Sequence, residues 1–200
     1  RVRLAAGLDE HGHLDAAAQQ RALESLSRFN QRLRVVAPEH VRAVGTNTLR
    51  KAHGESGFLA QAEAALGHPI AIISGQEEAR LVYKGVCHDL QDAGARRLVV
   101  DIGGGSTEVI VGEGEHILRA DSLFMGCVGY TLRFFPDGQL SDAAFDRATV
   151  AARLELGAVK RLYRSLGWVN AYGSSGTINA VQTVLQANGW CDHCVTTEGL

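Results

Sequence analysis

The run Val100-Asp101-Ile102-Gly103-Gly104-Gly105-Ser106-Thr107-Glu108 joins two stretches of buried-strand character, Leu98-Val99-Val100 and Thr107-Glu108-Val109-Ile110-Val111. Three glycines without Cβ let backbone N–H groups approach a bulky anion and adopt positive φ, so the turn reads as an anion-binding cradle. Ser106 and Thr107 add hydroxyl donors. Asp101 and Glu108, at the two strand ends, offer the hard oxygens that Mg²⁺ prefers. An acidic pair beside a phosphate cradle calls for a cation between them. The plain alternative is a tight glycine hairpin carrying two solvated carboxylates.

Downstream, Glu113-Gly114 turns the chain into a third strand over 116–122, giving an antiparallel meander. A long helix opens at Ser141 with Phe145, Ala152, Leu156, Val159, Tyr163 and Leu166 on one stripe. Arg153, Lys160 and Arg164 lie off that stripe as a basic face, either solvated or attracting phosphate. Val169 to Tyr172 reads as a strand, Gly173-Ser174-Ser175-Gly176 as a turn, and 177–187 as a helix whose N-terminal N–H groups favour an anion.

Upstream, strand and helix alternate, which indicates α/β. Asp15 caps a helix to about Leu33 with Ala22, Leu26, Phe29 and Leu33 on its apolar face. A strand at 41–44 runs into Gly45-Thr46-Asn47, whose Thr46 and Asn47 are suitable caps for a helix from Thr48 that carries Arg50. A guanidinium grips phosphate oxygens with a fork of donors, although a single arginine is more often a surface residue. A further helix (58–66), Pro69, a strand at 70–73 and the capping box Ser74-Gly75-Gln76-Glu77 follow. Glu77 has that local duty and Glu78 has none, which leaves Glu78 as a candidate to take the proton of a water attacking a phosphoryl group.

The chain has 200 residues, room for one large domain or two small ones, with 46% hydrophobic and 21% charged residues, so it can build a core. A formal charge of -2 gives no general attraction to nucleic acid or anionic membrane, and any bound anion needs a local site. Glycine is enriched at 23 residues against 3 prolines, and two of its clusters are the turns described above. The charge-free stretch 165–191 is interrupted by amides and hydroxyls, so no transmembrane segment is expected. Four cysteines are too few and too irregularly spaced for a disulfide framework, and a reducing cytoplasm is the default. Cys191-Asp192-His193-Cys194 is a single C-x-x-C without a second ligand pair, and coincidence in a surface loop is the reading set against metal or redox use.

Five blocks together resemble the exopolyphosphatase and guanosine pentaphosphate phosphohydrolase family of bacteria. They are Val44 to Arg50, Ile73 to Leu81, Val100 to Glu108, Met125 to Val128 and Gly173 to Ile178, in the family's order and near its spacing. The resemblance implies an α/β, actin-like fold of two ribonuclease-H-like lobes around a phosphate-binding cleft, divided as residues 1–82 and 83–200. It implies release of a terminal phosphate from inorganic polyphosphate or guanosine pentaphosphate with Mg²⁺. Glu78 then looks like the general base, Arg50 with Thr46 and Asn47 like a phosphate clamp, and Asp101 and Glu108 like the acids that hold Mg²⁺. Gly103, Gly104, Gly105, Ser106 and Thr107 look like one phosphate loop; Ser175, Gly176 and Thr177 look like a second. It also implies a homodimer of the full-length protein. Two other readings stay open on the same fold, an ATP-dependent kinase and a non-catalytic phosphate or nucleotide sensor.

Members of the family begin with a strand carrying an Asp-Leu-Gly-Ser-Asn-Ser-like loop and two further strands, and this sequence starts after them. The first lobe is therefore expected without its opening strands, within a longer protein.

Overall fold

The Asp15 side chain accepts a hydrogen bond from the Ala18 amide at 2.6 Å and starts helix α1, Ala16–Leu33. In the computed structural model of the chain, residues 2–9, 11–52, 56–90, 94–192 and 194–196 are described. They form two compact units, 1–75 and 76–200.

In the first unit, α1 is followed by strand β1 (Ala43–Gly45), helices α2 (Asn47–Lys51) and α3 (Ser56–Leu66), and strand β2 (Ile70–Ile72). β1 and β2 pair in parallel, Ala43 opposite Ile70, with the α2–α3 segment as crossover. The core is Leu14, Ala22, Phe58, Ala62, Leu66 and Ile70, against which Leu26 and Leu33 pack. Phe29 departs from its expected place: it is 55% exposed, and Ala18 is buried on α1 together with Ala22. Ala18 tolerates the close approach of Gly7, where a side chain would meet its Cβ.

The second unit contains helix α4 (Gly75–Asp89), which opens on the last residue of the first unit. Strands β3 (Arg96–Ile102), β4 (Thr107–Glu113) and β5 (His116–Leu123) follow, then helices α5 (Cys127–Phe134) and α6 (Asp142–Leu166), strand β6 (Asn170–Ser174) and helix α7 (Ser175–Ala187). The sheet order is β5-β4-β3-β6, the first three strands an antiparallel meander as expected and β6 parallel to β3.

β4 is buried along all but its last residue because both sheet faces are covered. On one face Val109, Val111 and Leu123 pack with Val159 and Tyr163 of α6. On the other, Val99 and Ile110 pack with Ala79 and Tyr83 of α4. Val99 and Ile110, fully buried on this second face, are each worth about 1.5–3 kcal/mol. That packing explains where the chain divides. α4 is bound to the second unit's sheet by Ala79 and Tyr83, so the division falls at Gly75, ahead of α4 instead of at Tyr83 within it.

Helix α5 has no counterpart in the sequence reading. It follows the Met125-Gly126 corner and is too short for periodicity to announce it. The expected Gly173–Gly176 turn is also absent as a turn. Gly173 and Ser174 complete β6, while Ser175, Gly176 and Thr177 open α7. The amino-terminal half of the α6 stripe is uncovered, with Phe145 half-exposed beside the Phe135 ring at 4.9 Å between centroids. Among the described residues no helix is long and apolar enough to cross a membrane.

Candidate functional site

The α4 face of the second unit's sheet is arranged in rows across the strands, because residues directly opposite in a ladder share a face. One row is apolar: Tyr172, Val99, Ile110 and Ala120. Two residues further along each strand comes a polar row: Ser174, Asp101, Glu108 and Ser122. α4 covers the apolar row with Ala79 and Tyr83, and Glu78 in its first turn comes within electrostatic range of the polar one. This row lies at the carboxyl ends of the parallel strands β3 and β6, the usual ligand side of such a sheet.

Glu108 is the most enclosed member, with 1% exposure. The Ser122 hydroxyl donates to its Oε1 at 2.7 Å. Burial pushes its carboxyl above the usual range, against the Ser122 hydrogen bond; the charge of Glu78 adds to the rise, Ser106 opposes it by a further hydrogen bond, and Asp101 adds to it again. Three carboxyl groups thus act on one another at the end of a sheet.

The loop 103–106 is pinned from below. Gly103 N–H donates to the Ser106 carbonyl at 2.9 Å, closing the turn. The carbonyls of Gly103 and Gly104 accept from the N–H groups of Cys127, Val128 and Gly129 at 3.0, 2.9 and 3.1 Å, which satisfies the first turn of α5. The N–H groups of Gly104 and Gly105 have no hydrogen-bond partner among the described residues and are left for a ligand. Positive φ, expected from the sequence, is not used by any of the three glycines. The close approach belongs to Gly126, where a Cβ would meet Gly105 N at 2.5 Å and Gly104 C at 2.6 Å, whereas a Cβ at Gly104 would lie 3.4 Å from Val128, an ordinary contact.

Thr107 departs from its expected role. It alternates to the α6 face, is buried, and its hydroxyl donates to the Met125 carbonyl at 2.6 Å. It therefore locks the corner before α5 and presents no donor to the acid row. Ser106, also buried, hydrogen-bonds Glu108.

Ser175, Gly176 and Thr177 form the first turn of α7, beside Asp101 through the Asp101–Ser174 pair. The Ser174 side chain makes no capping bond, so it does not occupy the helix's amino-terminal donors. Ser175 has φ of 78°, in the left-handed region that a residue with a side chain rarely occupies, and such strain clusters at ligand-binding turns.

In the first unit, Thr46, Asn47 and Arg50 gather at the carboxyl ends of β1 and β2. Thr46 holds the N-cap position of α2, but its side chain makes no capping bond. Asn47 is 5% exposed and its Nδ2 has no hydrogen-bond partner, an orphaned donor of the kind an anion would satisfy. Arg50 is not a loose surface arginine: its Nη1 donates to the Ile73 carbonyl at 2.7 Å, tying α2 to the end of β2. Glu77 is held by Arg80 through two hydrogen bonds of 2.7 and 2.6 Å, which keep its carboxyl below the usual range.

Arg153, Lys160 and Arg164 line an apolar cavity of about 550 Å³ on the α6 face, with Leu98, Val100 and Val109 at its floor. They are on the opposite side of the sheet from Asp101 and Glu108, so the phosphate attraction weighed for them does not serve the acid row.

Among the described residues no group of three or more His, Cys, Asp or Glu side chains is arranged to enclose a metal. Two acids at a strand end fit a Mg²⁺ ion, which binds through one or two carboxylates and keeps waters or substrate oxygens for the rest. The donor chemistry agrees: a cation would relieve the cost of holding Glu108 ionised beside Glu78 and Asp101. Ser122 and Gly126 were not singled out from sequence as site residues. Ser122 ends a strand and Gly126 lies in a quoted block, but only the strand register and the loop contacts give either one a task.

Residues 1–200 match the Ppx/GppA phosphatase family, and the chain belongs to it. It is 50% identical over 189 residues to a guanosine-5'-triphosphate,3'-diphosphate pyrophosphatase of Vibrio vulnificus, covering 94% of this chain and 38% of that protein. It is similar to the crystal structure of an exopolyphosphatase-like protein, with TM-score 0.83 and 25% identity over 93% of this chain and 60% of the other. A Ppx/GppA enzyme of Aquifex aeolicus gives TM-score 0.70 and 27% identity, over 92% of this chain and 60% of that one. The fold is α/β and is shared with these Ppx/GppA and exopolyphosphatase-like structures. The chain spans 38% of the length of the curated relative.

Proposed function

We propose that this member of the Ppx/GppA phosphatase family belongs to a phosphohydrolase that removes a terminal phosphate from guanosine pentaphosphate, with inorganic polyphosphate as a second substrate of the same anhydride chemistry. The observation that carries the reading is the row Asp101–Glu108 with Glu78 over it, beside the unpaired N–H groups of Gly104 and Gly105. The half-identical Vibrio relative supports the guanosine nucleotide as the first substrate to test.

Gly104 and Gly105 hold phosphate oxygens by backbone N–H groups, and the opening turn of α7 adds its own donors. In the first unit, Asn47 Nδ2 and the Arg50 guanidinium are donors of the kind phosphate oxygens take. Asp101 and Glu108 would hold Mg²⁺, which would neutralise charge on the phosphoryl oxygens when bound. Glu78 accepts the proton of the attacking water, standing in the first turn of α4 close enough for its charge to act on Glu108. Ser122 and Ser106 keep Glu108 oriented.

The test is phosphate release by the complete protein from guanosine pentaphosphate and from polyphosphate, with Mg²⁺ and after chelation. Substrate-dependent release that needs the divalent ion and collapses in Glu78→Gln is expected. Unchanged turnover in Glu78→Gln removes the base assignment, and tight nucleotide binding without release favours a sensor. Light scattering on the complete protein tests the homodimer.

A further inference from the structure

The C-x-x-C after α7 is a built thiol pair. Cys191 Sγ and Cys194 Sγ are 3.8 Å apart, and the Cys194 backbone N–H donates to Cys191 Sγ at 2.9 Å. Cys191 is buried while Cys194 is exposed. Two further bonds fix the segment to its helix: Trp190 N–H donates to the Leu185 carbonyl at 2.9 Å and Gln186 Nε2 to the Asp192 carbonyl at 2.7 Å. The sequence suggested a coincidental loop pair, but a random loop would not bring one sulfur under cover with its partner at hydrogen-bond distance and an amide aimed at it.

We propose that Cys191 and Cys194 form a reversible disulfide by exchange with a low-molecular-weight disulfide of the glutathione type. In the first step the exposed Cys194 thiolate attacks one sulfur of the small disulfide. An S–S bond to Cys194 forms, the original S–S bond breaks, and one small thiol leaves with its electron pair and takes up a proton. In the second step the Cys191 thiolate attacks the Cys194 sulfur, forming the internal disulfide and releasing the second small thiol. The protein dithiol is oxidised, and one small disulfide is reduced to two small thiols.

The positions suit these roles. Access decides that Cys194 reacts first, and the amide bond to Cys191 Sγ favours negative charge on the resolving sulfur. The Cys194 thiol is pushed up by its hydrogen bond to Cys191 and by the charge of that neighbour, so the first step speeds up as pH rises into the thiol range. Closing the ring needs only the sulfurs to approach, since the Cys194 amide already meets Cys191 Sγ.

The experiment equilibrates the complete protein with defined ratios of reduced and oxidised glutathione, quenches by alkylation, and maps the peptide containing 191–194 by mass. The expected result is loss of two hydrogens in that peptide, reversed by dithiothreitol. Cys191→Ser is expected to accumulate a mixed disulfide at Cys194, which the wild type clears at least ~10-fold faster because its second thiol is already in place. Cys194→Ser is expected to protect Cys191 from modification. Two free thiols persisting at high oxidised glutathione would overturn the proposal. So would a mixed disulfide that the wild type fails to resolve, or zinc retained by the pair after purification.

Discussion

Asp101 and Glu108 are directly opposed across the β3–β4 ladder, yet only Glu108 is sealed from solvent, with Ser122 donating to it from the next strand. Two carboxyl groups of one row thereby have different surroundings. The sealed one carries the electrostatic cost of the site, and that asymmetry leads to the first prediction.

Burial holds the Glu108 proton to higher pH in the folded protein than in the unfolded chain. As pH rises, the unfolded state ionises first, so folding loses stability between the two pKa values and the deficit persists above the folded one. Glu108→Gln should therefore raise the melting temperature at neutral pH in chelator by roughly 2–4 °C, the shift that ~1 kcal/mol gives in a chain of this size. Its advantage should vanish below the ordinary carboxylate range, and phosphate release should be lost. Melting curves from acid to neutral pH, with and without Mg²⁺, check this.

Glu78→Gln should lower kcat by about 10²–10⁴-fold with little change in KM. The charge of Glu78 is one cause of the raised Glu108 pKa, so the same variant should shift the Glu108 titration downward. Steady-state kinetics and a carboxyl titration followed by NMR read the two effects independently.

A methyl group at Gly126 would press on backbone atoms of Gly104 and Gly105, which cannot swing aside as a side chain can. Gly126→Ala should cost about 1–3 kcal/mol of stability. A displacement of the loop near 1 Å should lower turnover by about 10²-fold. Denaturant titration and initial rates on guanosine pentaphosphate measure the pair of effects. Gly129→Ala is the control, since nothing lies within 4 Å of its added Cβ.

Arg50 joins α2 to the end of β2 through the Ile73 carbonyl. Arg50→Ala should cost about 1–2 kcal/mol in stability through that hydrogen bond. It should also raise KM for the anionic substrate, the more so at low salt. Arg50→Lys keeps the charge without the fork and should recover only part of each loss. Thermal melts and KM at two ionic strengths separate structural from binding contributions.

Much of this was legible from residues alone because it depends on local spacing. The Asp15 cap, the β3–β5 meander and the α/β alternation follow from side-chain period and turn chemistry over short windows. Residues of the five quoted blocks then gather at the carboxyl ends of β1 and β2 in one unit and of β3 and β6 in the other. Thr107 was not separable from Ser106 by sequence, since both carry hydroxyls in one loop. Which of them faces the acid row is decided by strand alternation once the register is set. α5 escaped notice because its start is stabilised by carbonyls of Gly103 and Gly104, residues distant in the chain.

By itself, the sequence determined the class of fold, the family resemblance and the residue types available for holding phosphate, since these reside in local pattern and composition. Only the tertiary structure decided that Ser174, Asp101, Glu108 and Ser122 form one row, that Glu108 is the buried acid, that α4 travels with the second unit, and that Cys191 and Cys194 meet. Each depends on a register or a packing contact between distant segments, and the energy of burying Ala79 and Tyr83 against Val99 and Ile110 is not expressed in any short stretch of chain.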